Sequence, residues 1–439
     1  MTIAAREAAA SLRPPRLRVT VSRLAGADPL ALFAERGQED AFFWAHPATG
    51  RAFAGVGAAA VFRAAGPDRL ERADAWWRAL VEASEVDAPA DAPAAPLCVG
   101  GVAFDPHRPL APHWDPFGSA WFFIPAVAVV VEFGSAWRVD CGSVASPLRA
   151  LDGEAADLRL APAAPAAFCL SDGALSFRRA VEQVVAEIAR GAFEKLVLAR
   201  EVIYRNAAPF PVLSALDRLR AAYPGCATFA VARGERVFLG ATPERLVRLT
   251  GSTLQTMCLA GSAPRGATAE TDARLALSLL GDPKERREHH FVVAAMREAL
   301  TPLCSRLDIP AQPTVVSLPN LHHLKTSVTG QLRGEETIFA VVDRLHPTPA
   351  VGAAPPSAAF PAIRRHEPFD RGWFAAPLGW LTPTDGEFVV ALRSALVTGE
   401  EARLYAGCGI VAGSDPEREL QETELKLQPM REALQVSGP

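Results

Sequence analysis

Short apolar stretches recur along this chain, most of them spaced too closely for crossover helices to fit between them. LRVTVSRL (17–24), RAFAGVGAAAVF (51–62), LCVGGVAFD (97–105) and FFIPAVAVVVEF (122–133) predict strands in the first third. Pro125 has no N–H to give to a ladder, so it predicts an edge strand or a bulge at that point. Further strands are predicted at KLVLAREVIY (195–204), CATFAVAR (226–233), RVFLGATP (236–243), RLVRLTG (245–251), LKTSVTGQL (324–332), GWFAAPLGWL (372–381), EFVVALRSALV (387–397) and ARLYAGCGIVAG (402–413). The period turns helical over 176–191, where Val181, Val184, Val185 and Ile188 share one face. A long helix over 269–303 is interrupted at Gly281-Asp282-Pro283, and a final helix runs from Pro416 to Leu434. Strands joined by short turns, with helices outside them, predict the α+β class built on antiparallel sheet.

Length and charge narrow the picture. The 439 residues allow about three domains at roughly 150 residues each, and the 49% hydrophobic content supplies a sizeable core. A net charge of −4 argues against a nucleic-acid surface or a polybasic membrane arm. The most apolar stretch, Ala120 to Val131, is too short to span a bilayer, and the N-terminal residues lack the apolar run of a signal peptide. Seven widely spaced cysteines with no CxxC pair predict free thiols in a reducing compartment, hence a cytoplasmic protein. The Ala/Pro-rich segments 87–96 and 160–167 predict surface linkers, the second being the better boundary. Residues 1–15 are expected to form a flexible tail, 1–165 the N-terminal part of one large domain, and 166–439 its catalytic region.

Candidate chemistry concentrates in the last 250 or so residues. In the final helix Ser414 and Glu417 have capping-box spacing, and Glu419, Glu422 and Lys426 fall along one stripe. Glu422 and Lys426 equally fit an ordinary i,i+4 surface pair. Upstream, Glu288 lies on a second acidic helix, either as a solvated residue or facing the first stripe across one ion; carboxylates with water suit Mg2+. Gly407, Gly409 and Gly413 precede the last helix, where glycine backbone and a helix N-terminus favour an anion, with Arg393 and Lys426 as nearby cations. The same glycines fit a tightly packed turn. Lys195 opens an apolar strand, where burial would make it a base near neutral pH or a strand start would leave its head in water. Glu244 follows the turn ATP, as a carboxyl of raised pKa or as a turn residue.

Nine ordered motifs are similar to those of the chorismate-utilising enzymes. They are FEKLVLAR (193–200), FLGATPERL (238–246), CLAGSAPRG (258–266), KERREHHFVV (284–293), HLKTSVTG (323–330), LHPTPAVGAAP (345–355), DRGWFAAPLGW (370–380), FVVALRSA (388–395) and YAGCGIVAGSDPERELQETELK (405–426). The resemblance covers about residues 175–432, and FFWAHPATGRAFAGVGAA with GGVAFDP extends it more loosely toward the isochorismate synthase branch. It implies two large stacked antiparallel sheets with helices outside. It also implies roles: Lys195 activating water at C2 of chorismate, Glu244 protonating the departing C4 hydroxyl, Glu288 and Glu422 holding Mg2+, and Glu419 reaching it through water. Arg393, Tyr405, Gly407, Gly409 and Lys426 match positions that hold the substrate carboxylates, while Gly261, His323 and Ala350 match other pocket-lining positions. The expected partner is chorismate alone, with no glutaminase subunit and a monomeric chain.

Within that family, ammonia-using branches fit poorly. Ala260 stands where aminodeoxychorismate synthases commonly carry a nucleophilic lysine, and Lys195 stands where anthranilate synthases lack one. Salicylate synthases share both Lys195 and Glu244. FLGATPERL and CLAGSAPRG lean toward an isochorismate synthase of menaquinone synthesis, the alternatives being one of catechol siderophore synthesis or a salicylate synthase. Phe374, Cys408 and Ala353 depart from the commoner tyrosine, alanine and glycine.

Overall fold

A computed structural model describes residues 14–142, 167–334 and 336–438. Most of the predicted tail and most of the second Ala/Pro-rich segment, with the 165/166 boundary, lie outside the described residues. Among those described, the strands join into one hydrogen-bonded network with two arms. The first arm runs Arg18–Leu24, Ser135–Gly142, Ala120–Glu132, Arg51–Ala64, Ala41–His46, Ala227–Arg233, Arg236–Thr242, Ser394–Thr398, Glu401–Val411 and Lys195–Arg205. The second leaves Ala120–Glu132 through Cys98–Val102, Pro377–Leu381, Asp385–Val390, Arg245–Thr250, Thr253–Pro264 and Leu321–Leu332. All these pairs are antiparallel, as short connections require.

Ala120–Glu132 belongs to both arms because it is long and divides its second edge between two partners. Its first residues pair with Cys98–Val102, up to Phe123, and its last with Ser135–Gly142, from Val127. Pro125 falls in the gap between them, where its missing N–H leaves no ladder bond unmade. On the other edge it sits at a register shift opposite Ala58 and Ala60. The bulge is therefore present, but the strand is central; the edge-strand alternative is corrected. The arms face each other through aromatic rings: Phe42, Trp44 and Phe53 stack in a row, and Phe53 meets Trp380 of the second arm edge-on at 5.6 Å. Such pairs add about 0.5–1.5 kcal/mol each to their burial. The two-sheet expectation holds in outline, with shared hydrogen bonds where separate sheets were expected.

Helices cover the outside. Ala174–Ala189 buries Phe177, Ala180, Val181 and Val184, while Val185 and Ile188 of the predicted face are half-buried against the core. The expected break separates Ala269–Gly281 from Pro283–Leu300, because Asp282 turns extended and its carboxylate accepts from the N–H groups of Lys284 and Glu285. The last helix is Pro416–Leu434. Its cap is Asp415, whose carboxylate accepts from Arg418 N at 2.9 Å. Ser414 instead accepts from Val411 N at 3.2 Å, so the predicted Ser414–Glu417 box is not formed. No described helix is long and apolar enough to cross a membrane. All seven cysteines are free, and all but Cys169 are buried.

Candidate active site

The strand Lys195–Arg205 and its neighbour Glu401–Val411 form one wall of a cavity. In an antiparallel pair alternate residues share a face. Val197 and Ala199 therefore line the cavity with their partners Gly409 and Gly407. Thr253–Pro264 and the helices Pro283–Leu300 and Pro416–Leu434 supply other lining residues. The turn between Asp385–Val390 and Ser394–Thr398, which sequence periodicity reads as one unbroken strand, is bent at Arg393 with φ 48°.

Eleven of the thirteen residues singled out in the sequence line this cavity: Glu244, Gly261, Glu288, His323, Ala350, Arg393, Tyr405, Gly407, Gly409, Glu422 and Lys426. The other two stand just behind its surface. Lys195 is fully buried, and its Nζ lies 2.9 Å from Glu288 Oε1. Glu419 is buried and receives Lys284 Nζ at 3.0 Å. The alternative of a Lys195 head in water is thereby removed. Glu422 and Lys426 do pair, at 2.6 Å, but the pair lines the cavity, and Lys426 also donates to Gly407 O at 2.9 Å.

The glycines have a different reason from the one their position suggested. Gly407 and Gly409 lie inside a strand, and the helix N-terminus is filled by its own Asp415. A Cβ on Gly409 would collide with Glu288 Oε1 and stand 2.8 Å from Lys195 Cε. A Cβ on Gly407 would stand 2.7 Å from Leu198 O. Bare backbone is what lets the Lys195–Glu288 pair fit against the strand.

Burial sets the electrostatics. It pushes the Glu244 carboxyl up to about 7, against the pull of Lys195, Lys426 and Arg393. Burial also raises Glu288, but Lys195, Lys426 and Lys284 outweigh it and hold that carboxyl below its ordinary range. His323 is driven down to about 3 by burial and by Arg393 and Lys426, so it is neutral. Its Nδ1 lies 3.0 Å from Ser262 Oγ and 3.3 Å from Gly261 O, and its Nε2 lies 3.4 Å from Arg393. With Nδ1 as donor, Nε2 is left free to accept from that guanidinium.

Glu285 was missed by sequence reasoning. It sits three residues before Glu288, on the same helix stripe, so spacing alone could have found it. Its Oε2 accepts from Ser262 N at 2.8 Å, and burial, then the charges of Glu288 and Glu422, push it up to about 7. Two helices thus bring four glutamates together, all oxygen donors of the kind Mg2+ takes. All four have a lysine within ion-pair distance, Glu285 the most loosely at 3.9 Å from Lys284, and no three metal-binding side chains among the described residues form a ready cage.

The family model described as "Chorismate binding enzyme" matches residues 4–435. The chain is 38% identical to the salicylate biosynthesis isochorismate synthase of Pseudomonas aeruginosa, over 94% of this chain and 88% of that one. It is 34% identical to the isochorismate synthase MenF of Bacillus subtilis, over 93% and 91%. Among solved structures, the menaquinone-specific isochorismate synthase MenF of Escherichia coli superposes with a TM-score of 0.78 at 27% identity, covering 98% of each chain.

Proposed function

Because this chain belongs to the family of chorismate binding enzymes, we propose that it is an isochorismate synthase that moves the hydroxyl of chorismate from C4 to C2. The observation that carries this reading is the joint burial of an acid, Glu244, and an amine, Lys195, around one cavity that also holds two cations, Arg393 and Lys426. Chorismate has two carboxylates, and two cations at one pocket suit a dianion. A carboxyl raised to about 7 keeps a proton at neutral pH and can give it to the departing C4 hydroxyl. Lys195, in its unprotonated form, takes the proton of the water that attacks C2. Its flexible stem carries the amine from Glu288 to the cavity edge, which Gly409 leaves open for want of a side chain. Atoms balance: water adds at C2, the double bonds shift, and the C4 hydroxyl leaves as water with the proton from Glu244.

The glutamate cluster suits a divalent cation, since burial and the nearby charges of Glu288 and Glu422 hold Glu285 up to about 7. Glu288 and Glu422 would hold Mg2+ directly and Glu419 through water; bound there, the ion would fix a substrate carboxylate and offset its charge. Arg393, Tyr405 and Lys426 would orient the rest of the substrate, and the neutral His323 would fix the Arg393 fork.

Menaquinone synthesis is our assignment on the FLGATPERL and CLAGSAPRG motifs, with a salicylate or catechol siderophore route as the alternative; the name of the Pseudomonas aeruginosa relative includes salicylate biosynthesis. Purified protein, incubated with chorismate and MgCl2 or with EDTA, is resolved by chromatography. Isochorismate formed only with Mg2+ is the expected result. Salicylate and pyruvate would make the chain a salicylate synthase, and binding without conversion would refute the activity.

A further inference from the structure

The strand Lys195–Arg205 has a continuous partner on one edge only. Glu401–Val411 pairs with it along its whole length, from Val411 opposite Lys195 to Glu401 opposite Arg205. On its other edge, the short Ala353–Ala354 covers Lys195 and Leu196, and Phe168–Ser171 covers Ile203 to Arg205. Between them the ladder has no neighbouring strand among the described residues, just where the strand forms the cavity wall. Val197 N finds Gly352 O at 2.7 Å. The next groups on that edge are met by side chains. Arg371 donates to Val197 O at 3.0 Å, and Glu367 Oε1 accepts from Ala199 N at 2.8 Å.

Glu367 and Arg371 are themselves paired, with Nε to Oε2 at 2.8 Å and a terminal nitrogen to Oε1 at 2.5 Å. Their side chains are only 1% and 2% exposed. The remaining terminal nitrogen of Arg371 donates to Val351 O at 2.8 Å, beside the cavity residue Ala350. Its guanidinium lies over the Phe104 ring at 4.4 Å, and Phe104 N bonds Gly372 O at 2.7 Å. Each nitrogen of the fork therefore donates to protein, and four of its five N–H groups are used, although Arg371 also borders the cavity. A buried pair is costly unless its remaining bonding capacity is met, and here backbone meets it.

We propose that Glu367 and Arg371 are a positioning pair: they stand in for a missing strand, and so fix the wall that carries Lys195 and the adjoining Val351 peptide in register with each other. The inference rests on the assignment of Lys195 as the reacting amine. The pair acts on the strand, whereas Arg393 and Lys426 sit on other elements, so loosening it displaces the reacting group more than the substrate-holding groups. A displacement well under a turn of chain is enough to cost a large factor in rate.

The test uses the full chain with Mg2+. Arg371→Lys keeps the charge but loses the fork. Glu367→Gln with Arg371→Gln removes the charged pair, so no unpaired ion stays buried if the single variant fails to fold. Turnover is expressed per chorismate-binding site, counted by equilibrium binding, so that misfolded protein does not count. Expected are a fall in kcat of about 10- to 100-fold, a KM within about threefold of the parent, and faster amide hydrogen exchange in the peptide 196–201. Exchange at 196–201 equal to the parent's, or an unchanged kcat per site, would overturn the proposal. The parent's own conversion of chorismate tests the activity separately, and the exchange measurement stands whatever product is formed.

Discussion

Two buried ion pairs lie along one strand, and they differ in what is left over. In Glu367–Arg371 every donor nitrogen is spent on the partner or on backbone, and the pair knits three segments together. In Lys195–Glu288 an ammonium meets a carboxylate through a single 2.9 Å contact, and Glu288 also borders the cavity. The first arrangement uses four of the five guanidinium N–H groups and ties its segments together. The second holds more bonding capacity in reserve beside the cavity, which is where a group that must change partners belongs. Burial alone does not separate a structural ion from a reacting one; the unspent valence does.

The comparison can be broken from either side. Lys195→Ala should have the largest effect, lowering chorismate conversion by about 10²- to 10⁴-fold, as should Glu244→Gln. Near-parent rates in either would remove the proposed acid–base pair. Glu367→Ala should instead strike stability, by about 3–5 kcal/mol, because it strands a buried guanidinium. Chemical denaturation reads this directly, and a loss under about 1 kcal/mol would place that pair in the class of surface bridges. Gly409→Ala crowds the Lys195–Glu288 contact, and overpacking of this kind costs about 1–3 kcal/mol. It should reduce turnover while the far-ultraviolet circular dichroism stays that of the parent.

A pH profile sharpens the same contrast. The working form of Glu244 is protonated, and its carboxyl sits near 7. The rate should therefore fall as pH rises through about 7, approaching tenfold per unit beyond it, while the need for an unprotonated Lys195 sets the limb at lower pH. A kcat/KM profile flat from pH 6 to about 9 would contradict the assignment. The smallest effect expected is that of Asp415→Ala, about 1 kcal/mol from the lost cap of the last helix. Ser414→Ala distinguishes the two capping arrangements: the 2.9 Å bond to Arg418 comes from Asp415, so its loss should leave the helix N-terminus intact.

Much of this was legible in the sequence, for reasons that also explain what was not. Local signals were enough for the Asp282 break and for the start of the last helix at Pro416, because Pro and a short carboxylate act within a few residues. Resemblance, and not periodicity, drew attention to Gly261, His323 and Ala350, which do border the cavity. What no local pattern carries is pairing across the chain. Lys195 meeting Glu288, and Glu367 meeting Ala199 N, depend on strand neighbours distant in sequence. Pro125 was half legible: its missing N–H announced an irregularity, but only the division of one edge between two partners shows how a central strand tolerates it. Phe374 and Cys408, the departures from the commoner pattern, both border the cavity, Phe374 stacked on Tyr405 at 5.3 Å.

The shared strand Ala120–Glu132 has a consequence for how the chain can be handled. Ala41–His46 zips onto Ala227–Arg233, and Cys98–Val102 onto Pro377–Leu381, so each arm passes from early strands to late ones at a single junction. A fragment starting at residue 167 would carry every group named around the cavity, yet it would bare two raw β-edges, open to self-association. The opening third is thus less a neighbour of the catalytic part than the seam that closes it.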